Sequence, residues 1–148
     1  MNKINNKGLD LIKEFEGLKT NAYRDAANVP TIGFGHTKGV KDGDTITEKF
    51  AEIMLDKELR EYEGYVDQMV NVPLNENQHA ALVSFVYNLG PTNLKDSTLL
   101  KRLNEGKYED VSAQLKRWNK ARVNGELTEL EGLTRRRKAE ADLFNEEV

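Results

Sequence analysis

Two carboxylates and a hydroxyl draw attention in the first third of the chain: Glu16, Asp25 nine residues later, and Thr31 six beyond that. Two carboxyl groups do acid and base work at one pH when their environments differ. Glu16 falls in the last turn of a short helical pattern, beside Phe15. The negative end of a helix dipole and an apolar neighbour both favour the protonated acid. Asp25 follows Arg24 in a polar turn, where a carboxylate stays ionised. An acid that protonates a leaving oxygen, paired with a base that activates water, is what glycoside hydrolysis uses. Spacing alone does not separate these two from the other acids of a chain that is 32% charged, and a solvated surface role remains open on that ground.

The elements around them can be read from periodicity. Leu9, Ile12 and Phe15 fall on one helical face, flanked by Leu11 and Leu18; Asn5 or Asn6 can cap its start and Gly17 stops it. Residues 18–46 mix Pro30 and four glycines (Gly33, Gly35, Gly39, Gly43) with β-branched Val29, Thr31, Ile32 and Val40, which predicts short antiparallel strands and tight turns. Helical periodicity returns at Thr47, with Thr45 and Glu48 spaced as a capping box and Phe50, Ile53, Met54, Leu55 and Leu59 as an apolar stripe. It can run on through Tyr62 and Tyr65 towards Met69 and Val70, as a long joining helix. After Val72-Pro73 the pattern is helical almost throughout. Asn75 caps a segment apolar on most sides, hence a buried central helix ended by Gly90-Pro91. Shorter helices are predicted around Thr98–Leu103, Tyr108–Trp118 and Leu133–Phe144.

Composition limits what such a chain can be. At 148 residues it is one domain, long enough to bury roughly 68–70% of its unfolded surface. It has no cysteine, so no disulfide, thiolate metal site or cysteine nucleophile, and two histidines cannot close a structural zinc site without carboxylates. No cofactor or metal is expected. The net charge of −3 argues against nucleic acid as a partner. No apolar run approaches 18 residues and the start lacks a signal-peptide hydrophobic region, so no membrane insertion is expected. The expectation is synthesis in the cytoplasm, with some other agent needed for action elsewhere.

The spacing Glu–eight residues–Asp–five residues–Thr, with Tyr23 two before the Asp and Thr31-Ile32-Gly33-Phe34-Gly35-His36 after it, resembles phage lysozymes of glycoside hydrolase family 24. The resemblance continues through Asn77–Gly90, Ser97–Leu100, Arg117–Ala121 and Gly132–Arg137, five motifs in the family's order from about residue 8 to residue 144. It implies an α+β, mostly α, two-lobed lysozyme-like fold within a single domain 1–148. A small β-hairpin lobe would occupy about 14–62, and a larger helical lobe about 1–13 plus 73–148. It also implies a muramidase that cleaves the β-1,4 bond between N-acetylmuramic acid and N-acetylglucosamine in bacterial peptidoglycan, and so lyses cells. Glu16 would be the general acid, with Asp25 and Thr31 holding the attacking water in an inverting displacement.

Further roles come from the same likeness. Arg136 is expected to support Glu16 electrostatically, with Arg135 and Arg137 as alternatives and a solvated basic face as the plainer reading. His36 is expected in a structural ion pair. Thr37, Tyr87, Asn88, Thr98 and Gln114 are candidate sugar contacts, each of which can equally be a packing or capping residue. Trp118 reads as core. Residues 114–138 carry eight basic against three acidic side chains, a local excess of +5 that suits an anionic wall polymer. A monomer is expected, released by a separate holin-type protein if phage-borne. The acidic segment around Val123–Glu131 has no evident function. A lytic transglycosylase, which needs no water-activating aspartate, is disfavoured by Asp25 and Thr31, and a non-catalytic wall-binding module is the remaining alternative.

Overall fold

The computed structural model describes residues 3–148. The chain divides into two compact units: residues 12–61, and residues up to 11 together with 62–148. Both chain crossings between them lie inside helices, α1 (Asn6–Glu16) and α2 (Glu48–Met69).

The smaller unit is built on an antiparallel hairpin of β1 (Lys19–Arg24) and β2 (Pro30–Gly33). Tyr23 lies opposite Thr31 and Arg24 opposite Pro30, with an irregularity between Lys19 and Tyr23. The other edge of β1 is covered by residues 44–46: Ala22 N donates to Asp44 O at 2.8 Å and Ile46 N to Thr20 O at 2.9 Å. The buried apolar residues are Ile12, Ile32, Phe34, Ala51, Leu55 and Leu59. Two expectations for α2 are corrected here. Thr47, not Thr45, caps the helix, its Oγ1 accepting from Phe50 N at 3.1 Å, because Thr45 bridges to Asn21 instead. The buried stripe runs Ala51, Leu55, Leu59 at a spacing of four, while Phe50 and Ile53 are about half exposed.

The larger unit surrounds α3 (Glu76–Leu89). Asn75 and Gln78 close a capping box at its start, and Asn77 and every residue from His79 to Val86 are buried. This is the central helix that its apolar periodicity predicts, packed against α7 (Glu131–Asn145), on which α6 (Val111–Lys116) also rests. At the start of α1, Asn5 accepts from Gly8 N at 3.0 Å, which settles the cap between the two asparagines. Gly90 ends α3 and Pro91 opens a short α4 (Pro91–Lys95), which periodicity did not reveal. Ser97 then caps α5 (Thr98–Asn104).

The stretch expected as one helix over Tyr108–Trp118 is a 3₁₀ turn at Tyr108–Asp110 followed by α6. Past Lys116 the amides of Arg117 and Trp118 reach back only three residues, to Gln114 O and Leu115 O, so the helix tightens and ends. Trp118, beyond the helix rather than in it, meets Phe85 edge-on at 5.6 Å. The acidic segment is not helical. It is a second antiparallel hairpin, β3 (Lys120–Val123) with β4 (Glu126–Glu129), turned by Asn124 (φ 51°) and Gly125 (φ 83°). A two-residue loop with both φ values positive is the hairpin turn that an Asn-Gly pair favours. Among the described residues, no helix is long and apolar enough to cross a membrane.

Candidate active site

Glu16 is the last residue of α1. Gly17 takes φ +71° and donates its N–H to Lys13 O at 3.0 Å, so the chain turns away directly after the carboxylate. Asp25 follows β1 in a tight loop closed by its own backbone: its N–H donates to Val29 O at 3.0 Å and its carbonyl accepts from Asn28 N at 2.8 Å. Asn28 sits at φ 63°, which an asparagine tolerates. The Asp25 side chain completes the loop, with Oδ1 accepting from Ala27 N and Val29 N, both at 2.9 Å. Arg24 braces the same loop, donating to Asn28 O at 2.9 Å and pairing with Asp42 at 2.5 Å.

Thr31 is buried at 3% exposure on β2, and its hydroxyl donates to Val29 O at 2.8 Å. Asp25 and Thr31 therefore converge on one residue, the first through Val29 N–H and the second through its carbonyl. With its proton committed, the Thr31 oxygen is left as an acceptor, and the Asp25 bonds leave Oδ2 outside the loop's hydrogen bonding. Tyr23 lies opposite Thr31 in the hairpin. Partial burial raises its phenol above the ordinary tyrosine range, and the charges of Glu16 and then Asp25 add to that rise. Gly35, in the turn after β2, lies so close under Glu16 that a Cβ there would stand 2.7 Å from Oε1. The smaller unit thus carries an acid at the end of α1, a second carboxylate in the loop after β1 and a hydroxyl acceptor on β2, the chemical parts of water-mediated cleavage of a glycosidic bond.

Of the flanking candidates in this unit, Thr37 is exposed and His36 forms an ion pair with Glu58 through Nδ1, the structural role expected of it. The other candidates belong to the larger unit. Tyr87 is half-buried and meets Tyr62 edge-on at 5.1 Å. Asn88 accepts from Arg137 Nη2 at 2.7 Å. Thr98 is exposed on the first turn of α5, and Gln114 is buried on α6.

The basic run on α7 is not a solvated face: Arg135 is exposed, but Arg136 and Arg137 are buried at 4% and 0%. They surround Glu140, itself fully buried. Its Oε1 pairs with Arg137 Nε at 2.8 Å, and its Oε2 accepts from Ser84 Oγ at 2.6 Å. Arg136 also donates to Ser84 O and Oγ at 3.3 Å, and Arg137 lies over the Phe85 ring at 5.2 Å. Burial pushes the Glu140 carboxyl up, against the pull of Arg137, Arg136 and Ser84. Sequence reasoning missed Glu140 and Ser84, although Glu140 stands three and four residues from the two arginines, the spacing of helical ion pairs. It also gave Tyr23 and Gly35 no role beyond their motif. Among the described residues, no group of three or more His, Asp or Glu is arranged to hold a metal ion.

The phage lysozyme family model matches residues 13–140. An endolysin of Acyrthosiphon pisum secondary endosymbiont phage 1 is 45% identical over 95% of this chain and 97% of its own length. Among solved structures, the endolysin of Escherichia coli O157:H7 phage FAHEc1 superposes with a TM-score of 0.93 at 40% identity, covering 99% of this chain and 96% of that one. The muramidase domain of SpmX from Asticaccaulis excentricus reaches 0.94 at 35% identity, over 99% and 100%. The mostly helical α+β architecture with its small hairpins is thus that of the phage lysozymes. The chain belongs to the phage lysozyme (endolysin) family, glycoside hydrolase family 24, and is a lysozyme-type glycoside hydrolase.

Proposed function

We propose that this protein hydrolyses the β-1,4 bond between N-acetylmuramic acid and N-acetylglucosamine by a single displacement with inversion at the anomeric carbon. Glu16 protonates the glycosidic oxygen. Asp25, through Oδ2, and Thr31, through its hydroxyl oxygen, hold a water on the opposite face of the sugar, and Asp25 takes its proton as the C–O bond forms. The observation that carries this reading is the shared use of Val29: one residue's N–H and carbonyl fix both Asp25 and Thr31, and leave an acceptor on each. A transglycosylase has no use for that pair, because its product closes on itself without water. Arg136 is assigned electrostatic support of Glu16, and Thr37, Tyr87, Asn88, Thr98 and Gln114 contacts to the sugar chain. Peptidoglycan is the partner and lysis the outcome. The protein acts as a monomer within one domain, on the far side of a membrane that a holin-type protein opens.

The test is loss of turbidity of purified peptidoglycan by wild type and by Glu16→Gln, both checked for folding by circular dichroism. Clearing by the wild type, a fall of at least 10²-fold in Glu16→Gln and reducing ends of inverted anomeric configuration are expected, since general acid catalysis is worth roughly 10²–10⁴-fold. Equal clearing by both variants overturns the assignment of Glu16. A 1,6-anhydro product overturns the role of the water.

A further inference from the structure

We propose that Gly35 is a positioning residue for the acid: its bare Cα is the surface against which the Glu16 carboxyl rests. The inference depends on Glu16 being the general acid, and adds a second residue through which that acid is placed. Five glycines of the smaller unit take positive φ: Gly17, Gly33, Gly35, Gly39 and Gly43. A turn explains each of them, because left-handed backbone favours glycine. Only at Gly35 does the missing side chain also matter. A Cβ at Gly17, Gly39 or Gly43 would meet nothing within 4 Å, and one at Gly33 would touch Ala51 and Ile46 at an ordinary 3.5 Å. At Gly35 it would stand 2.7 Å from Glu16 Oε1, 3.4 Å from Cδ and 4.0 Å from Cγ. The carboxyl end is the nearest part, so the group lies directly over the glycine.

The consequence separates fold from chemistry. An alanine at 35 meets the far end of a flexible side chain, which can swing aside without disturbing the core. To reach ordinary contact Oε1 must retreat from 2.7 to at least 3.4 Å, a move of about 0.7 Å. Displacements near 1 Å at a reacting group cost about 10²-fold in rate. Alanine at Gly43 meets the same positive-φ penalty in an open setting: its φ of +88° nearly equals the +83° of Gly35, and a Cβ there meets nothing within 4 Å. Gly43→Ala is therefore the control: a left-handed glycine at nearly the same φ, with no contact with the acid.

The experiment compares wild type, Glu16→Gln, Gly35→Ala and Gly43→Ala on soluble peptidoglycan fragments, with kcat, KM and Tm for each. The expected result is a fall in kcat of roughly 10²-fold in Gly35→Ala with KM within about twofold of wild type, a Tm loss equal to that of Gly43→Ala, and wild-type kcat in Gly43→Ala. Two results overturn the proposal: Gly35→Ala keeping the kcat of Gly43→Ala, or Gly35→Ala losing activity only in step with a Tm loss well beyond that of Gly43→Ala, which makes Gly35 a residue of the fold. Failure of the underlying reading looks different, because Glu16→Gln then retains activity whatever Gly35→Ala does.

Discussion

Replacing Asp25 by asparagine separates the two tasks of this side chain. Oδ1 accepts from Ala27 N and Val29 N at 2.9 Å each, and an amide oxygen can accept both bonds. The loop therefore survives, losing only the charge assistance of two exposed hydrogen bonds, a cost of about 1 kcal/mol. In a chain of this size that lowers Tm by roughly 2–4 °C. What disappears is Oδ2, replaced by an NH₂ that cannot take a proton from water. A positioned base contributes roughly 10²–10⁴-fold, or about 2.7–5.4 kcal/mol of barrier, several times the structural cost. The assay is the initial rate of reducing-end release from purified peptidoglycan, beside a thermal melt of the same preparation. A fall of at least 10²-fold with a Tm within about 4 °C of wild type is expected. Asp25→Ala should be as inactive but melt lower, because it abandons the loop bonds as well. If Asp25→Asn keeps more than a tenth of the wild-type rate, the aspartate does not activate water and the reasoning from Oδ2 fails.

Two further predictions concern the larger unit. Gly8 lies inside α1, where helix propensity alone says alanine should stabilise by about 0.8–1.0 kcal/mol. Its Cβ would stand 2.6 Å from Ala80 Cβ and 2.8 Å from two Ile4 carbons, so overpacking of about 1–3 kcal/mol should win, and urea denaturation of Gly8→Ala should show a net loss; a gain would refute the close approach. His79 is buried, and desolvation holds its imidazole below 6.5 despite nearby Asp67 and Glu63. The unfolded chain then takes up this proton first as pH falls through 6.5, so stability should drop on acidification, by at most about 1.4 kcal/mol per pH unit, and level off below the folded pKa. Urea melts of wild type and His79→Gln at pH 7.5, 6.5 and 5.5 check this, and identical slopes would assign the effect elsewhere.

What could be read from the residues divides along physical lines. The central helix was legible because Ala80–Val86 is apolar on most sides, a pattern that burial explains. Glu16 at a helix end and Asp25 in a turn were legible because Gly17, and then Asp25, Asn28 and Pro30, punctuate the chain locally. The β3–β4 hairpin was not seen, although Asn124-Gly125 is a strong local turn signal, because the flanking strands are only four residues each and mostly exposed. The α2 stripe was half wrong because Phe50 and Ile53 fit the helical period as well as Ala51 does, and periodicity cannot say which of two adjacent faces meets a core. The fate of Arg136 and Arg137 was hidden for a stronger reason. A run of three arginines reads as surface, and two of the three are buried here with partners that include Glu140 and Ser84, 56 residues apart in sequence.

The same distinction accounts for how the smaller unit holds its chemistry. Asp25 is fixed by two backbone N–H groups, Thr31 by a backbone carbonyl, and the place of Glu16 by a helix end and a glycine that offers no side chain. Backbone groups make such positions rigid because they belong to a ladder or a closed turn, whereas an exposed side-chain partner must first be ordered itself. The Arg24–Asp42 pair fits this scheme as a brace on the turn's outer side: it is exposed at both ends and contributes little energy, yet Arg24 also donates to Asn28 O, the carbonyl next to Val29. On the proposed reading, precision at the site rests on turn conformation, in which Asn28 at φ 63° and Gly35 at φ +83° are the strained or permissive positions, and not on the charged side chains that make up 32% of the chain.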